Sequence, residues 1–206
     1  MDLKEKFRNT SPWLYLILKN IYVSYVFNFV RRKFNYLYLK TKFNFLPKSK
    51  EIKLHLGCGR VKMEGFINID HHKTPATDYV LDAVNLPFPD GSIDSIESYH
   101  LIEHLPIGKL SDILDHWYRI LKPGGNLILE FPDFDQAVRL YLAGNENRLN
   151  NIFGRQRFAG DTHLWGWNIE RMKKRLEDKN FKVEQENPQD YHTKTEPCLR
   201  IVAHKD

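Results

Sequence analysis

Residues 53–70 read KLHLGCGRVKMEGFINID, and this stretch decides the fold class. A short apolar strand runs into Gly57-Cys58-Gly59, and a second apolar run over residues 66–69 ends on Asp70. Glycines at the carboxyl end of a strand let the backbone approach a ligand that a Cβ atom would exclude. An acid at the end of the next strand can accept hydrogen bonds from both hydroxyls of a ribose. The stretch therefore predicts a nucleoside-binding site at one edge of a parallel sheet.

Strands and helices alternate through the rest of the chain, which favours a parallel sheet with helices on its faces. Apolar residues predict seven strands, over residues 52–56, 66–69, 79–81, 92–97, 126–131, 181–185 and 198–203. Leu110 to Leu121 shows helical spacing, with Ser111 as its predicted N-cap and Pro123-Gly124-Gly125 as its end. Asn168 is predicted to cap a late helix and Asn180 to stop it.

Further motifs follow the strands in a fixed order. Asp82-Ala83 comes after the third strand, residues 99–104 (YHLIEH) after the fourth, and residues 121–125 (LKPGG) lead into the fifth. With these motifs, residues 52–204 resemble the class I S-adenosylmethionine-dependent methyltransferases. Within that group they look most like the type-11 branch associated with bacterial surface-polysaccharide biosynthesis. The resemblance implies a Rossmann-like seven-stranded sheet and S-adenosylmethionine as cofactor.

The resemblance also implies roles for individual residues at the ends of the strands. Asp70 would bind the ribose hydroxyls, Asp82 would accept from the adenine amino group, and the Ala83 backbone N–H would face the ring. The methionine part would lie on the glycine loop, formed by Gly57, Cys58 and Gly59. The floor near the sulfonium would be lined by Ser98, Tyr99 and His100. A dinucleotide site is disfavoured, because the third glycine of G-x-G-x-x-G falls on Lys62.

Two departures from the family pattern concern the glycine loop. His55 stands where the family usually has an acid, and Val61 stands at the usual third glycine. Only residues 60–65 separate the glycine loop from the second strand, although a parallel crossover normally needs a dozen or more residues. The first helix is therefore expected to be shortened to a turn, and we expect the N-terminal segment to cover the sheet face left open.

The candidate catalytic residues are histidines. In similar methyltransferases a histidine before the last helix often faces the acceptor, which is the position of His163. A histidine with a pKa near neutrality suits removal of a hydroxyl proton. His100 and His104 are further candidates, and Asp133 is a weaker one. The alternative for each is a packing, capping or loop role.

Residues 100–104 also match H-x-x-E-H, a spacing known from zinc peptidases. The match coincides with a methyltransferase motif, and the sequence offers no evident third ligand downstream. No metal is therefore expected.

Residues 1–50 differ from residues 51–206, so we predict an N-terminal extension and a methyltransferase domain with these bounds. The extension carries 11 Lys/Arg, 2 Asp/Glu and 12 of the 27 aromatic residues. Such a helical segment is typical of a membrane interface, and packing on the domain is the alternative. Signal peptide and transmembrane span fit poorly. Cys58 and Cys198 have no C-x-x-C partner, which favours a cytoplasmic protein with reduced thiols.

The expected function is O-methylation of a sugar or lipid-linked glycan of the cell envelope, at the inner face of the membrane. Alternatives are an RNA or small-molecule methyltransferase, or a non-catalytic cofactor-binding module recruited to membranes. Nucleic acid is a poor fit, because the N-terminal aromatics alternate with Leu, Ile and Val. The acceptor and the oligomeric state are not specified by the sequence.

Overall fold

The computed structural model describes residues 11–45, 51–158, 160–186 and 196–206. The chain divides into two compact units, Met1–Leu46 and Pro47–Asp206.

The first unit contains a single long helix, α1 (Pro12–Asn44), in the part that is described. Pro12 occupies the start of the helix, where its missing N–H costs no hydrogen bond. Many large apolar side chains of α1 are exposed; Trp13 is 78% exposed and Tyr25 and Phe34 are each 71% exposed, whereas Leu39 and Phe43 are buried at 3% each. Among the described residues, no helix is both long and apolar enough to cross a membrane.

The second unit is built on one seven-stranded sheet with the order β3-β2-β1-β4-β5-β7-β6. The strands are β1 (Lys53–Leu56), β2 (Ile67–Asp70), β3 (Tyr79–Val80), β4 (Ile93–Tyr99), β5 (Leu121–Pro132), β6 (Phe181–Glu186) and β7 (Cys198–Lys205). The first five strands are parallel, and β7 pairs antiparallel with both β5 and β6. This confirms the predicted Rossmann-like sheet.

The helices of the second unit lie in the connections after β4 and β5. They are α2 (Leu110–Ile120), α3 (Phe134–Leu142), α4 (Leu149–Phe153) and α5 (Ile169–Glu177), with one-turn 3-10 helices at Ile102–His104, Ile107–Lys109 and Glu146–Arg148. Residues 57–66 contain only turns, so the predicted loss of the first crossover helix is confirmed. Asn168 caps α5 by accepting from the Arg171 N–H, as predicted. Asn180 follows that helix in a left-handed conformation with φ of 64°.

Two predictions around α2 are wrong. Lys109 is the N-cap, and Ser111 lies inside the first turn of the helix. The helix ends at Ile120 and β5 begins at Leu121, so Pro123-Gly124-Gly125 belongs to the strand. The pairing with β4 shifts register here, which makes this segment a bulge; the glycines turn the strand rather than end the helix.

The two faces of the sheet differ sharply in polarity. Leu54, Ile96, Leu127 and Ala203 are in register across four strands and are fully buried. Because side chains alternate along a strand, the residues one position along point to the other face. The side chains on that face are largely polar. They include His55, Glu97, Tyr99, Glu130, Arg200 and His204. That residues 1–46 cover this face stays a prediction.

Candidate active site

The glycine loop after β1 is fixed to β2 by its backbone. The N–H groups of Gly57 and Cys58 both donate to the Ile69 carbonyl, at 2.9 and 3.1 Å. Gly57 has φ of +72°, and a Cβ atom there would lie 3.0 Å from Leu101 Cβ. Gly59 has φ of +51°, and no atom lies within 4 Å of where its Cβ would be. The loop thus leaves open space beside a backbone that only glycine adopts easily.

Asp70 holds the end of this loop. Its Oδ2 accepts from the Gly59 N–H at 2.8 Å and its Oδ1 from the His72 N–H at 2.8 Å. A carboxylate has about four acceptor positions, so both oxygens keep capacity for ribose hydroxyls. The side chain is 15% exposed and therefore fixed but reachable. This geometry fits a nucleoside cofactor.

Asp82 and Ala83 follow β3 at the same edge of the sheet. Asp82 is exposed, and its Oδ1 accepts a local hydrogen bond from the Val84 N–H at 3.0 Å. The Ala83 carbonyl accepts from the buried Trp117 indole N–H at 2.8 Å, which fixes the loop on α2. A free carboxylate beside a fixed backbone is the arrangement expected for adenine.

At the end of β4, the residues predicted to line the site near the sulfonium lie on opposite faces of the sheet. Ser98 is buried, and its hydroxyl has no hydrogen-bond partner among the described residues. Tyr99 lies on the polar face; its hydroxyl donates to Glu97 Oε2 at 2.5 Å and the Arg200 guanidinium lies 5.4 Å from its ring centroid. The Tyr99 side chain is thus engaged on the polar face, and its place beside a cofactor stays a prediction. Cys58 is buried and free, and burial raises the pKa of its thiol.

His100 follows β4 in a left-handed conformation with φ of 53°, which turns its ring toward two acids. Its Nδ1 lies 3.3 Å from Glu103 Oε1 and its Nε2 lies 3.8 Å from Glu130 Oε1. Cys198 Sγ is 3.6 Å from Nε2. Burial favours neutral imidazole, but the contacts with Cys198 and Glu103 outweigh it and raise the pKa of His100 to about 10. His100 is thus a cation within an ionic cluster, which makes it a poor proton acceptor at neutral pH.

Glu103 is an almost fully buried acid, at 1% exposed. Burial alone would raise its pKa, yet His100, His104 and His163 together lower it, so the carboxylate is ionised. Neither carboxylate oxygen has a hydrogen-bond partner within the described part of the chain. His163 Nε2 lies 3.9 Å from Oε1.

His104 and His163 face each other with ring centroids 4.9 Å apart. His104 Nδ1 is 3.0 Å from the Thr162 carbonyl, and His163 Nδ1 is 2.9 Å from the Asn151 carbonyl. A carbonyl can only accept, so both rings carry a proton on Nδ1. Burial lowers the pKa of His163, which keeps it neutral. His163 therefore has the properties of a base.

The H-x-x-E-H spacing does not place its two histidines on one helix. Residues 102–104 form a single 3-10 turn, and the left-handed His100 points toward Glu130 and Cys198. His104 instead meets His163, 59 positions downstream. The structure thus supplies the neighbouring downstream histidine that the sequence did not reveal.

Backbone hydrogen bonds hold the loop before α5 against this cluster. The N–H groups of Leu164 and Trp165 both donate to the Glu103 carbonyl, at 2.8 and 3.3 Å. The His163 N–H donates to the Phe153 carbonyl at 3.1 Å. The same loop reaches toward the cofactor edge, where the Phe158 and His72 rings lie 6.1 Å apart.

Sequence reasoning missed three members of the cluster. Glu103 lies inside the quoted motif but received no role, although a buried acid between two histidines was the available signal. Glu130 and Cys198 carried no local signal, because β5 and β7 bring them to His100 from distant positions. Asp133 caps α3, accepting from the Gln136 N–H at 3.0 Å, which explains that residue structurally.

Comparison with known proteins gives the following matches. Residues 63–129 match a family described as a methyltransferase domain. No curated protein matches the sequence significantly. A SAM-dependent methyltransferase from Archaeoglobus fulgidus is 18% identical, with 84% of this chain and 94% of that chain covered and a TM-score of 0.54. One from Methanosarcina mazei is 17% identical, with 79% and 95% covered and a TM-score of 0.52. Human N-acetylserotonin methyltransferase in complex with SAM is 16% identical, with 75% and 47% covered and a TM-score of 0.51. At these identities the structures show a shared fold, that of class I methyltransferases.

Proposed function

We propose that this chain, an S-adenosylmethionine-dependent methyltransferase of class I fold, methylates a hydroxyl group on a sugar or lipid-linked glycan of the cell envelope. The proposal that the acceptor is a hydroxyl group rests on the state and contacts of His163. It is a neutral imidazole whose Nδ1 proton is fixed by the Asn151 carbonyl and whose Nε2 faces the ionised Glu103. A hydroxyl acceptor must lose its proton, whereas many other acceptors need no base.

The cofactor supplies an electrophilic methyl group. Gly59 would leave room for its methionine part on the loop that Gly57 shapes, Asp70 would bind the ribose and Asp82 the adenine. Ser98, whose buried hydroxyl has no partner among the described residues, would face the reacting end. His163 Nε2 accepts the acceptor's hydroxyl proton, and Glu103 stabilises the imidazolium that results. His100 and His104 would position this pair.

The acid–base pair is tested by the variant His163→Gln, with His204→Gln as control. His204 is also a partly buried histidine with a bound Nδ1, but it lies on β7, where its ring meets Asn126. We expect His163→Gln to lose about 10²- to 10⁴-fold in kcat with S-adenosylmethionine affinity unchanged. A loss of less than twofold, or an equal loss in the control, would contradict the role of His163.

The cofactor site is tested by titration calorimetry with S-adenosylmethionine. We expect Asp70→Asn to weaken binding at least tenfold, since it loses acceptors at the ribose, and the exposed Asp112→Asn to leave it unchanged. Formation of S-adenosylhomocysteine with free sugars, nucleotide sugars and polyprenyl-linked glycans then identifies the acceptor. An intact binding isotherm with no turnover on any hydroxyl acceptor would refute O-methylation while leaving the fold untouched.

Membrane recruitment through α1 is the second part of the proposal. The helix exposes apolar and aromatic side chains, and residues 1–50 carry an excess of nine positive charges. Such a segment binds anionic interfaces by burying aromatics at headgroup depth. We expect the full chain to float with anionic vesicles, more weakly at high salt, and the triple variant Trp13→Ser/Tyr25→Ser/Phe34→Ser to stay unbound. Equal flotation of both proteins would reject this part.

A further inference from the structure

Glu103, His104 and His163 form a compact group of potential metal ligands. One ligand atom from each lies within 4.8 Å of the others. Two imidazoles and one carboxylate make up a donor set of catalytic zinc sites, which keep a further position open. We propose that these three residues bind a divalent transition-metal ion such as Zn²⁺.

The two histidines are oriented as metal ligands are. Each uses Nδ1 on a backbone carbonyl, Thr162 for His104 and Asn151 for His163, so Nε2 is the nitrogen that remains for an ion. In metal sites the outer ring nitrogen usually donates to a carbonyl or carboxylate in this way, which fixes both tautomer and orientation. A single histidine so held is common, but here two such rings meet at 4.9 Å.

The third ligand is a carboxylate whose environment is otherwise incomplete. Glu103 is 1% exposed, and neither oxygen accepts a hydrogen bond from the residues that the structure describes. His100 Nδ1 lies 3.3 Å from Oε1, so the carboxylate already has one charged neighbour, which stays outside the ligand set. A carboxylate has about four acceptor positions, so the two oxygens keep capacity for an ion.

The ligands are held in place by bonds that do not depend on a metal. Glu103 and His104 belong to one 3-10 turn, and the Glu103 carbonyl accepts from Leu164 and Trp165, which anchors the chain beside His163. Ligand atoms about 2.0–2.2 Å from a tetrahedral ion lie about 3.3–3.5 Å apart. The 3.9 Å between His163 Nε2 and Glu103 Oε1 therefore needs a contraction of about half an ångström.

A second group of ligand atoms, from His100, Glu130 and Cys198, is a weaker candidate. The Arg200 guanidinium lies 3.3 Å from Glu130 Oε2, so a fixed positive charge already neutralises that carboxylate. The group of Glu103, His104 and His163 is therefore the better candidate for the metal site. The His100 group is the competing site that the experiment must exclude.

The ion deepens the proposed function, on which this consequence rests. At the open position it would bind the acceptor hydroxyl and lower its pKa, so that the proton could leave to water. With the ion bound, His163 Nε2 would be a ligand and the ion would activate the hydroxyl in its place, so the base role given to His163 under the proposed function would apply to the metal-free protein, and O-methylation would stand in both cases. The acceptor oxygen would then bond to the methyl carbon while the methyl carbon–sulfur bond breaks, and S-adenosylhomocysteine would leave, with no change in oxidation state.

The test is metal binding by the full chain, with neither cofactor nor acceptor present. Protein stripped with a chelator is titrated with Co²⁺, followed by visible absorption, and with Zn²⁺, followed by calorimetry. We expect one ion per chain, and at least tenfold weaker binding in His104→Ala, His163→Ala and the isosteric Glu103→Gln. His204→Ala and Cys198→Ser should bind as the parent does, and circular dichroism verifies the fold of each variant.

The outcomes separate this inference from the proposed function. Absence of binding, unchanged binding in folded His104→Ala and His163→Ala, or loss of binding in folded Cys198→Ser would overturn the site. Methyl transfer at full rate in excess chelator would overturn the role of the ion and leave O-methylation standing. One bound ion that requires Glu103, His104 and His163, together with transfer abolished by the chelator and restored by Zn²⁺, would support both site and role.

Discussion

Gly154→Ala should displace His163 without altering any side chain of the site. Gly154 follows α4 with φ of 82° and ψ of 162°, a region essentially restricted to glycine. A Cβ atom there would lie 2.2 Å from the Asp161 carbonyl oxygen, 2.9 Å from the His163 backbone nitrogen and 3.0 Å from Thr162 Cα. All three are backbone atoms, so no side-chain rotation relieves the overlap. The loop that carries His163 must move.

The expected loss of unfolding free energy in Gly154→Ala has two parts. Placing alanine in this conformation costs about 1–3 kcal/mol. Overpacking against fixed backbone adds about 1–3 kcal/mol. Gly160→Ala is the matched control, because Gly160 lies in the same loop with φ of +99° and has nothing within 4 Å of its Cβ position. Gly160→Ala should lose only the free energy of backbone strain, so the difference in unfolding free energy between the two variants measures the cost of the atomic overlap at Gly154.

The assay combines urea denaturation with turnover at saturating cofactor. We expect Gly154→Ala to lower the free energy of unfolding by about 2–6 kcal/mol and Gly160→Ala by about 1–3 kcal/mol. A displacement of about 1 Å at a catalytic group costs about 10²-fold in rate, so kcat should fall that far in Gly154→Ala while cofactor affinity holds. Equal stability losses in the two variants, or an unchanged kcat in Gly154→Ala, would refute the reasoning.

Three further predictions concern stability and the cofactor edge. Hydrogen bonds from Arg157 lower the pKa of Asp161 from 3.8 to about 2, so the folded state holds its proton less tightly than the unfolded state. The stabilisation from the Asp161 carboxylate is therefore complete above about pH 4 and is lost as the pH falls toward 2. Asp161→Asn should lower the free energy of unfolding by about 1–2 kcal/mol at pH 7, after allowance for the exposed Arg157. A loss measured by urea denaturation that does not shrink below pH 4 would contradict this. Trp117→Ala removes a fully buried indole and its bond to the Ala83 carbonyl, so it should cost about 3–5 kcal/mol, and a loss below 1 kcal/mol would show that the site collapses without penalty. Tyr99→Phe should cost about 1 kcal/mol, through the lost bond to Glu97, with unchanged S-adenosylmethionine affinity; weaker binding by calorimetry would return the Tyr99 hydroxyl to the cofactor site.

Local pattern predicted the sheet well because its core strands are marked by apolar runs and its edge by glycines and acids. The shortened crossover could also be predicted, since residues 60–65 cannot hold a helix. The bulge at Pro123-Gly124-Gly125 could not, because a Pro-Gly-Gly run ends a helix or turns a strand equally well. Only the pairing with β4 decides between those outcomes.

The acceptor side was less predictable, since it depends on contacts between distant segments. His100 and His104 look equivalent in the sequence, four positions apart. The left-handed backbone at His100 separates them, sending one ring to Glu130 and Cys198 and the other to His163. Whether a histidine is a base, a cation or a ligand follows from these partners, and β5, β7 and the loop before α5 supply them from far along the chain.

The loop after β4 links the two halves of the site. Leu101 packs against Gly57, so closely that a Cβ atom there would lie 3.0 Å from it, and the glycine loop forms the cofactor side. The adjoining His100 and Glu103 carry charges on the side that we propose for the acceptor, and the Glu103 carbonyl anchors the segment holding His163. Methyl transfer requires acceptor and donor to be held within about 3–3.5 Å. Because this short loop contacts both the glycine loop and the segment that holds His163, a displacement of Leu101 would change the distance between those two parts of the site directly.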